Sequence, residues 1–286
     1  MKRVILGDNQ FFAVSHLSED RAISQAIKFR DVNAITDVLD AAAEVGVQAF
    51  SCTTHERMEE VCDHIRANPQ RYHDFEIYPA MPYAHKYANA ITELGVTKFV
   101  RQYAGNDMLG TLARGGAAFM TKDFVRMSNM LVDMELVMFR DLNTPVVFLQ
   151  NVVTDLLLGL GMVDLLEAFA EHLDKKHSVK AGYMTMNLPL LAESLAKRGF
   201  HDPIICASIN KIGFRMSGGI DLYESCLAKY PMHCIAMQPL AAGALRPAEA
   251  FEYVARLKGV DSVLFGASTR DHIASSTAMI DEAWLD

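Results

Sequence analysis

The chain has 286 residues, of which 51% are hydrophobic, and a formal net charge of −8 at neutral pH. This length suits one large domain or two ordinary ones, and the acidic balance without a basic stripe argues against nucleic-acid binding. No apolar stretch approaches the ~20 residues of a membrane span. The opening residues "MKRVILGDNQ" lack the apolar core of roughly 7–15 residues that a secretory signal needs.

The cysteines are odd in number and form no C-x-x-C pair: Cys52, Cys62, Cys206, Cys226 and Cys234. This pattern predicts neither a disulfide framework nor a structural zinc site. It favours a reduced, cytoplasmic protein. The expected partner is a small-molecule substrate, with no nucleic acid and no membrane, and the oligomeric state stays open.

Short apolar runs alternate with amphipathic helical stretches along the chain. The runs are nearly continuous in apolar residues, which is typical of parallel strands buried on both faces. In chain order they cover residues 3–7, 47–52, 75–81, 97–103, 146–151, 179–187, 203–208, 233–239 and 262–266.

Helical patterns separate these runs. Residues 31–46 have an Asp cap and a closing Gly, residues 163–176 are amphipathic, and residues 247–259 begin with Pro and end with Gly. Repeated β–α units at this length predict one (β/α)₈ TIM barrel over residues 1–286. An open doubly wound sheet is the alternative, and it is disfavoured because no G-x-G-x-x-G follows the first run.

Nine runs are one more than a barrel of eight strands needs. Either 97–103 or 146–151 lies outside the ring, or a terminal run is not a barrel strand. Residues 104–145 are predicted to be an irregular, lid-like excursion. An ordinary surface loop over 104–123 that leads into a helix over 122–140 explains the same residues equally well.

Chemistry in such barrels lies at the carboxyl ends of the strands, and this rule selects the candidate site. The proton-transfer candidates are Asp8, His55, Glu56, His85 and Lys211, and the predicted catalytic residues among them are His55, Glu56 and Asp8. The predicted substrate-binding residues are the other polar side chains that follow the runs: Tyr83, His85, Arg101, Asn151, Asn187 and Gln238.

The stretch "SCTTHERMEE" at 51–60 contains Thr53 three residues before Glu56, which fits a capping box at the start of a helix over 55–66. Capping is therefore the favoured explanation of Glu56, and catalysis is the alternative. Capping does not require His55, and a helix N-terminus lowers a histidine pKa, which favours a neutral base. Cys52 is expected to be a small buried hydrophobe rather than an activated thiol.

A divalent metal held by Asp8, His55, Glu56 and His85 is a less favoured alternative, because no H-x-H or H-E-x-x-H spacing supports it. The sequence therefore assigns no metal ligand.

The turn "GASTR" follows the last predicted strand and precedes a helical pattern. Helix N-termini at this place in a barrel bind phosphate readily. The alternative is a plain helix cap by Ser268 or Thr269. The candidate cofactor-binding residues are Gly266, Ala267, Ser268, Thr269 and Arg270.

The C-terminal third resembles the aldo-keto reductases. "CIAMQPLAAGAL" is similar to the seventh strand of that family, and "SVLFGASTRDHI" to its eighth strand and pyrophosphate-binding turn. The likeness covers most of the chain in layout and is most specific over 234–273. It implies a (β/α)₈ barrel, an oxidoreductase activity and an NADP cofactor whose pyrophosphate binds at 266–270, with Arg270 on a phosphate.

The catalytic Asp, Tyr, Lys and His of that family are not retained. Aligned by Gly46, the Asp position falls on Ser51 and the Tyr position on Glu56, and no Lys ends the third run. We therefore expect a barrel enzyme with altered catalytic residues and no ordinary aldehyde reduction. Two alternatives remain: a non-redox lyase or isomerase of a phosphorylated or carboxylated substrate, with or without a metal, and a non-catalytic ligand-binding barrel.

Overall fold

The computed structural model describes residues 1–12, 19–83 and 117–285. Eight strands form a closed barrel in which each strand pairs in parallel with the next one along the chain, and the eighth pairs with the first. The strands are β1 Val4–Gly7, β2 Ala49–Thr53, β3 Glu76–Met81, β4 Val146–Leu149, β5 Lys180–Thr185, β6 Ile204–Ser208, β7 His233–Met237 and β8 Val260–Phe265.

The helices between the strands cover the outside of the barrel. In the described part of the chain they are α1 Glu19–Lys28, α2 Val32–Val45, α3 Met58–Ala67, α4 Ala117–Leu136, α5 Asn151–Gly159, α6 Asp164–His172, α7 Leu188–Lys197, α8 Ile220–Lys229, α9 Pro247–Ala255 and α10 Arg270–Ala283. None of them is both long enough and apolar enough to pass through a membrane.

Two apolar layers stabilise the barrel because successive strand residues point to opposite faces. One cluster of buried side chains includes Ile5, Tyr78, Phe148 and Ile235, and the larger cluster includes the alternate strand residues and the inner faces of the helices. The Phe148 ring needs a glycine on the neighbouring strand, since a Cβ at Gly182 would lie 2.4 Å from the Phe148 Cε1 atom.

The strand predictions are largely confirmed. The run 146–151 supplies β4, whereas the run 97–103 lies outside the described residues. The predicted helix over 31–46 is confirmed, with Asp31 accepting a hydrogen bond from the Asn33 N–H and Gly46 closing the helix at a φ of 98°.

Part of the predicted excursion is regular in the structure. Residues Ala117–Leu136 form α4, and a short 3₁₀ turn over Val137–Phe139 follows it. Residues 104–116 lie outside the described residues. A lid-like role for the excursion stays a prediction.

Candidate functional site

The Asp8 carboxylate and Thr53 lie together where β1 and β2 end. Both the backbone N–H and the hydroxyl of Thr53 donate to Asp8 Oδ2, at 2.6 and 2.8 Å. Asp8 is only 7% exposed. Burial raises the pKa of the Asp8 carboxyl, and the two Thr53 hydrogen bonds only partly oppose this increase. The result is a buried carboxyl group at the barrel mouth that holds a proton more readily than usual.

The predicted capping box was wrong. Helix α3 begins at Met58, and its N-cap residue, Arg57, makes no side-chain capping bond. Thr53 instead binds Asp8, and the Glu56 side chain is exposed. Residues 55–57 form a turn between the end of β2 and the start of α3. Thr53 therefore still belongs to β2 and not to the start of the helix.

His55 lies in this turn with its ring stacked on Phe12, at 4.1 Å between centroids and 13° between planes. Its Nδ1 accepts the Arg57 N–H at 3.2 Å, so the neutral ring carries its proton on Nε2. Burial and the Arg57 charge lower the pKa of His55, and the Glu56 charge partly opposes them. The imidazole is therefore neutral at pH 7, with an N–H available for donation.

Tyr83 completes the group at the ends of the first three strands. Its ring centroid lies 6.0 Å from that of His55. Burial raises the pKa of the Tyr83 phenol, and the Asp8 charge adds to the effect. The arrangement thus brings together a carboxyl, an imidazole and a phenol, three groups that can exchange or share protons.

A buried glutamate supports this group from outside the barrel. Glu135 on α4 is 2% exposed and accepts the Thr54 hydroxyl at 2.5 Å and the Tyr83 backbone N–H at 3.1 Å. Sequence reasoning missed it, because a Glu in a long helical pattern carries no signal of burial. Cys52 is 1% exposed, so the prediction of a small buried side chain is confirmed, and burial raises the pKa of its thiol.

The predicted substrate-binding amides lie at the ends of later strands. Asn151 is the first residue of α5, directly after β4. Asn187 caps α7 by accepting the Leu190 N–H at 3.4 Å. Gln238 follows β7 and accepts the Ser208 hydroxyl at 2.6 Å. His85 and Arg101 lie outside the described residues, so their roles stay predictions.

A pocket of about 440 Å³ opens among the loops after β4, β5 and β6. Asn151 and Met186 line it from two of these loops, and Arg215 from the third. Arg215 is exposed and has a φ of 55°, and sequence reasoning did not select it. Asn210 fixes this loop, because its side chain bonds to both the N–H and the carbonyl of Phe214 at 2.8 Å.

The predicted phosphate turn follows β8 and opens onto α10. Thr269 caps this helix by accepting the His272 N–H at 3.4 Å. Gln10 fixes the turn by donating to the Ala267 carbonyl at 3.1 Å, and a Cβ at Gly266 would lie 2.8 Å from its Oε1.

Two cations flank the turn. The Lys28 ammonium donates to the Ser268 carbonyl at 2.7 Å. The Arg270 guanidinium is 60% exposed and lies 3.7 Å from the Glu44 carboxylate. The turn therefore combines a helix N-terminus with two positive charges, although Glu44 partly neutralises one of them.

Solved structures with a similar fold include aldo-keto reductases. A Pseudomonas aeruginosa protein assigned to the aldo-keto reductases superposes with a TM-score of 0.61 at 16% identity, over 99% of this chain and 90% of that one. The aldose reductase from Giardia lamblia gives 0.54 at 11% identity, over 99% and 91%. An aldo/keto reductase from Brucella melitensis gives 0.52 at 12%, over 88% of both chains.

No protein-family model and no curated protein matches the sequence. The fold is therefore the (β/α)₈ barrel of the aldo-keto reductase type, as the sequence predicted. At these identities the likeness shows the fold alone.

Proposed function

We propose that this barrel is an oxidoreductase that binds an NADP-type dinucleotide at the turn over 266–270 and reduces or oxidises a small molecule with non-standard catalytic residues. The observation that carries the proposal is the N-terminus of α10, a 14-residue helix, with Lys28 and Arg270 beside it. The first N–H groups of a helix have no intrahelical partners and attract anions. Phosphate groups fit this set of donors and charges.

Different residues of the turn would make different contributions to the binding of such a ligand. Ser268 and Thr269 would offer N–H and hydroxyl groups, and Arg270 would leave Glu44 to pair with a phosphate, since it is exposed and has room to move. When bound, a nicotinamide dinucleotide would supply or accept a hydride. Gln10 bonds to the turn and so keeps the turn next to β1. Asp8 lies two residues before Gln10 in the chain.

We assign hydrogen-bond donation and proton transfer to His55, Asp8 and Tyr83. A substrate oxygen that gains or loses negative charge needs a hydrogen-bond donor beside it. The His55 Nε2–H supplies such a donor without a net charge, and the Asp8 carboxyl, whose pKa burial raises, can take up and release a proton beside it. Glu56 contributes through its charge on His55 rather than by contact, because its side chain is exposed.

The binding test is a calorimetric titration of the full chain with NADPH, NADH and inorganic phosphate. We expect NADPH to bind most tightly and Arg270→Gln to weaken it by about 10–100-fold, the value of one charge-assisted hydrogen bond. Glu44→Gln should tighten binding because it frees Arg270. Arg256→Gln is the matched control, since Arg256 is also an exposed arginine and lies 3.8 Å from the Glu252 carboxylate. If none of the three ligands binds at about millimolar concentration, the proposal is wrong.

A second candidate function is a non-redox lyase or isomerase that acts on a carboxylated or phosphorylated substrate. The observation that favours it is the pocket beside Arg215, which offers a cation and the Asn151 amide to an anionic group. In that case Asp8 or His55 would act as the base. Binding of simple dicarboxylates that Arg215→Gln abolishes, with no binding of NADPH, would favour this function over the first.

We also propose a cytoplasmic location. All five cysteines are free and buried, which fits a reducing compartment. Measuring the distribution of the tagged protein between cell fractions tests this.

A further inference from the structure

A cluster of two histidines and one aspartate lies away from the barrel mouth. Asp133 on α4 accepts at one oxygen, Oδ1, from His172 Nε2 at 2.8 Å and from His177 Nε2 at 2.7 Å. His177 comes three residues before β5 begins, so the cluster lies towards the amino-terminal end of that strand. The candidate catalytic residues follow the carboxyl ends of their strands instead.

We propose that Asp133, His172 and His177 bind one divalent transition-metal ion of the zinc class. The ligand atoms of the three residues all lie within 4.8 Å of one another. Two imidazoles and a carboxylate are the ligands that zinc and its neighbours in the transition series prefer, and three protein ligands leave a position for water. The described residues contain no other such group.

The local backbone brings the two histidines together. Leu173–His177 form a single π-helical turn after α6. In a regular α-helix two residues five apart point about 140° away from each other. The wider π-turn, with its i→i+5 hydrogen bonds, brings such residues towards one face, and π-turns of this kind often occur at functional sites. Because of this π-turn, the Nε2 atoms of His172 and His177 both reach Asp133 Oδ1.

The charges and exposure of the cluster suit a metal ligand set. The side chains of Asp133, His172 and His177 are 25%, 14% and 24% exposed, so an ion can enter and yet be largely shielded. The Asp133 carboxylate accepts hydrogen bonds from Lys176 and from both histidines.

The Lys176 ammonium would compete with the metal ion for the Asp133 carboxylate. Its ammonium lies 2.6 Å from Asp133 Oδ2, the oxygen that the histidines do not use. A metal on Oδ1 and both Nε2 atoms would replace the two N–H···O bonds with bonds of about 2.0–2.2 Å. In a tetrahedral site the nitrogen-to-oxygen distances would then widen by about 0.6 Å, a movement within the reach of side-chain torsions. The ion would join α4 to the segment that enters β5.

The test uses the full chain, free of any affinity tag and stripped with a chelator. Zn²⁺ is titrated in competition with a chromophoric chelator, and Co²⁺ is followed by its visible absorption. We expect one equivalent to bind, and each of His172→Gln, His177→Gln and Asp133→Asn to weaken binding by at least about 100-fold, more than the loss of an outer partner of a ligand costs. Lys176→Met should strengthen binding by removing a competing charge.

The controls are two single His–Asp pairs elsewhere on the surface. His73 lies 2.9 Å from Asp74, and His233 lies 3.0 Å from Asp261. His73→Gln and His233→Gln should bind the metal as the unmodified chain does, and circular dichroism should show that every variant is folded. No binding tighter than about 100 µM, or equal binding by the three ligand variants, would overturn the proposal. The result is independent of whether the turn over 266–270 binds a nucleotide.

Discussion

The Asp8 carboxylate accepts two hydrogen bonds from Thr53 through a single oxygen, Oδ2, one from the backbone N–H at 2.6 Å and one from the hydroxyl at 2.8 Å. The two residues lie 45 positions apart in the chain, and the adjacent ends of β1 and β2 bring them together. One Asp8 oxygen is thereby fixed by the strand ends, which orients the carboxyl group at the barrel mouth.

Thr53→Val removes the hydroxyl and keeps the shape of the side chain and the backbone bond. We expect a loss of about 1.5–3 kcal/mol in the free energy of unfolding at neutral pH, the value of a hydrogen bond to a charged group. The bond favours the ionised carboxylate, so its loss raises the Asp8 pKa further. The difference between variant and unmodified chain should therefore grow as the pH rises through the Asp8 titration and shrink in acid.

Urea denaturation from about pH 4 to about pH 8 measures this difference. Thr53→Ser is the matched control, since it keeps the hydroxyl and should lose far less. A pH-independent loss in Thr53→Val would mean that the valine disturbs packing and not the charge on Asp8.

His55→Ala tests the imidazole. Its ring is half-buried and stacked on Phe12, so its removal should cost only about 0.5–1.5 kcal/mol of stability. Turnover of the substrate, found by screening carbonyl compounds and alcohols with the dinucleotide, should fall by about 10²–10⁴-fold. A variant that melts much earlier and turns over normally would make His55 a structural residue.

The pH profile gives a second readout for His55. Its pKa is lowered, so the neutral ring persists below the ordinary histidine value of about 6.5. A rate that depends on the neutral ring should fall on the acid side with an inflection below that value. In His55→Ala this acid limb should be absent from the remaining activity.

Gly182→Ala tests the packing inside the barrel. The added Cβ would lie 2.4 Å from the Phe148 ring, which is 1% exposed and has little room to move. We expect a loss of about 1–3 kcal/mol, the usual cost of overpacking a core. The double variant Gly182→Ala with Phe148→Leu should recover part of this loss, because the smaller side chain leaves room for the methyl group. Thermal melting of the two single variants and the double variant measures the coupling.

The sequence predicted the features that depend on neighbouring residues. Asp31 and Gly46 begin and end α2 as expected, because caps are chosen by local backbone geometry. The barrel itself was also predicted, since its strands are continuous apolar runs. By contrast, the partner of Thr53 was not predicted: its hydroxyl can accept a local N–H or donate to a distant carboxylate, and only the closed ring of strands favours Asp8.

The cluster around Asp133 illustrates the same limit. His172 and His177 are five residues apart, a spacing that places them on different faces of a regular helix. Only the π-turn over Leu173–His177 brings them together. Arg215 was also missed, although its loop is held by a local contact, in which the Asn210 side chain bonds to Phe214 four residues further on.

Asp8→Asn separates the proposed catalytic role of Asp8 from its effect on stability. The Asn oxygen can accept both Thr53 donors, so the two hydrogen bonds survive, while the buried negative charge is removed. Burial raises the pKa of Asp8 in the folded chain, which means that folding favours the protonated carboxyl. The unmodified chain therefore loses stability as the pH rises through the titration of Asp8, and the Asn variant lacks this loss.

We accordingly expect Asp8→Asn to be more stable than the unmodified chain at pH 7, by about 0.5–2 kcal/mol, the usual range for a single stabilising substitution. The advantage should disappear in acid, where Asp8 is protonated in both the folded and the unfolded chain. Dinucleotide affinity should stay unchanged, because the turn over 266–270 keeps its Gln10 contact, whereas turnover should be lost. Urea denaturation at several pH values measures the stability. A variant that is less stable than the unmodified chain at pH 7 would show that the Asp8 charge stabilises the barrel mouth, and Asp8 would then be a structural residue.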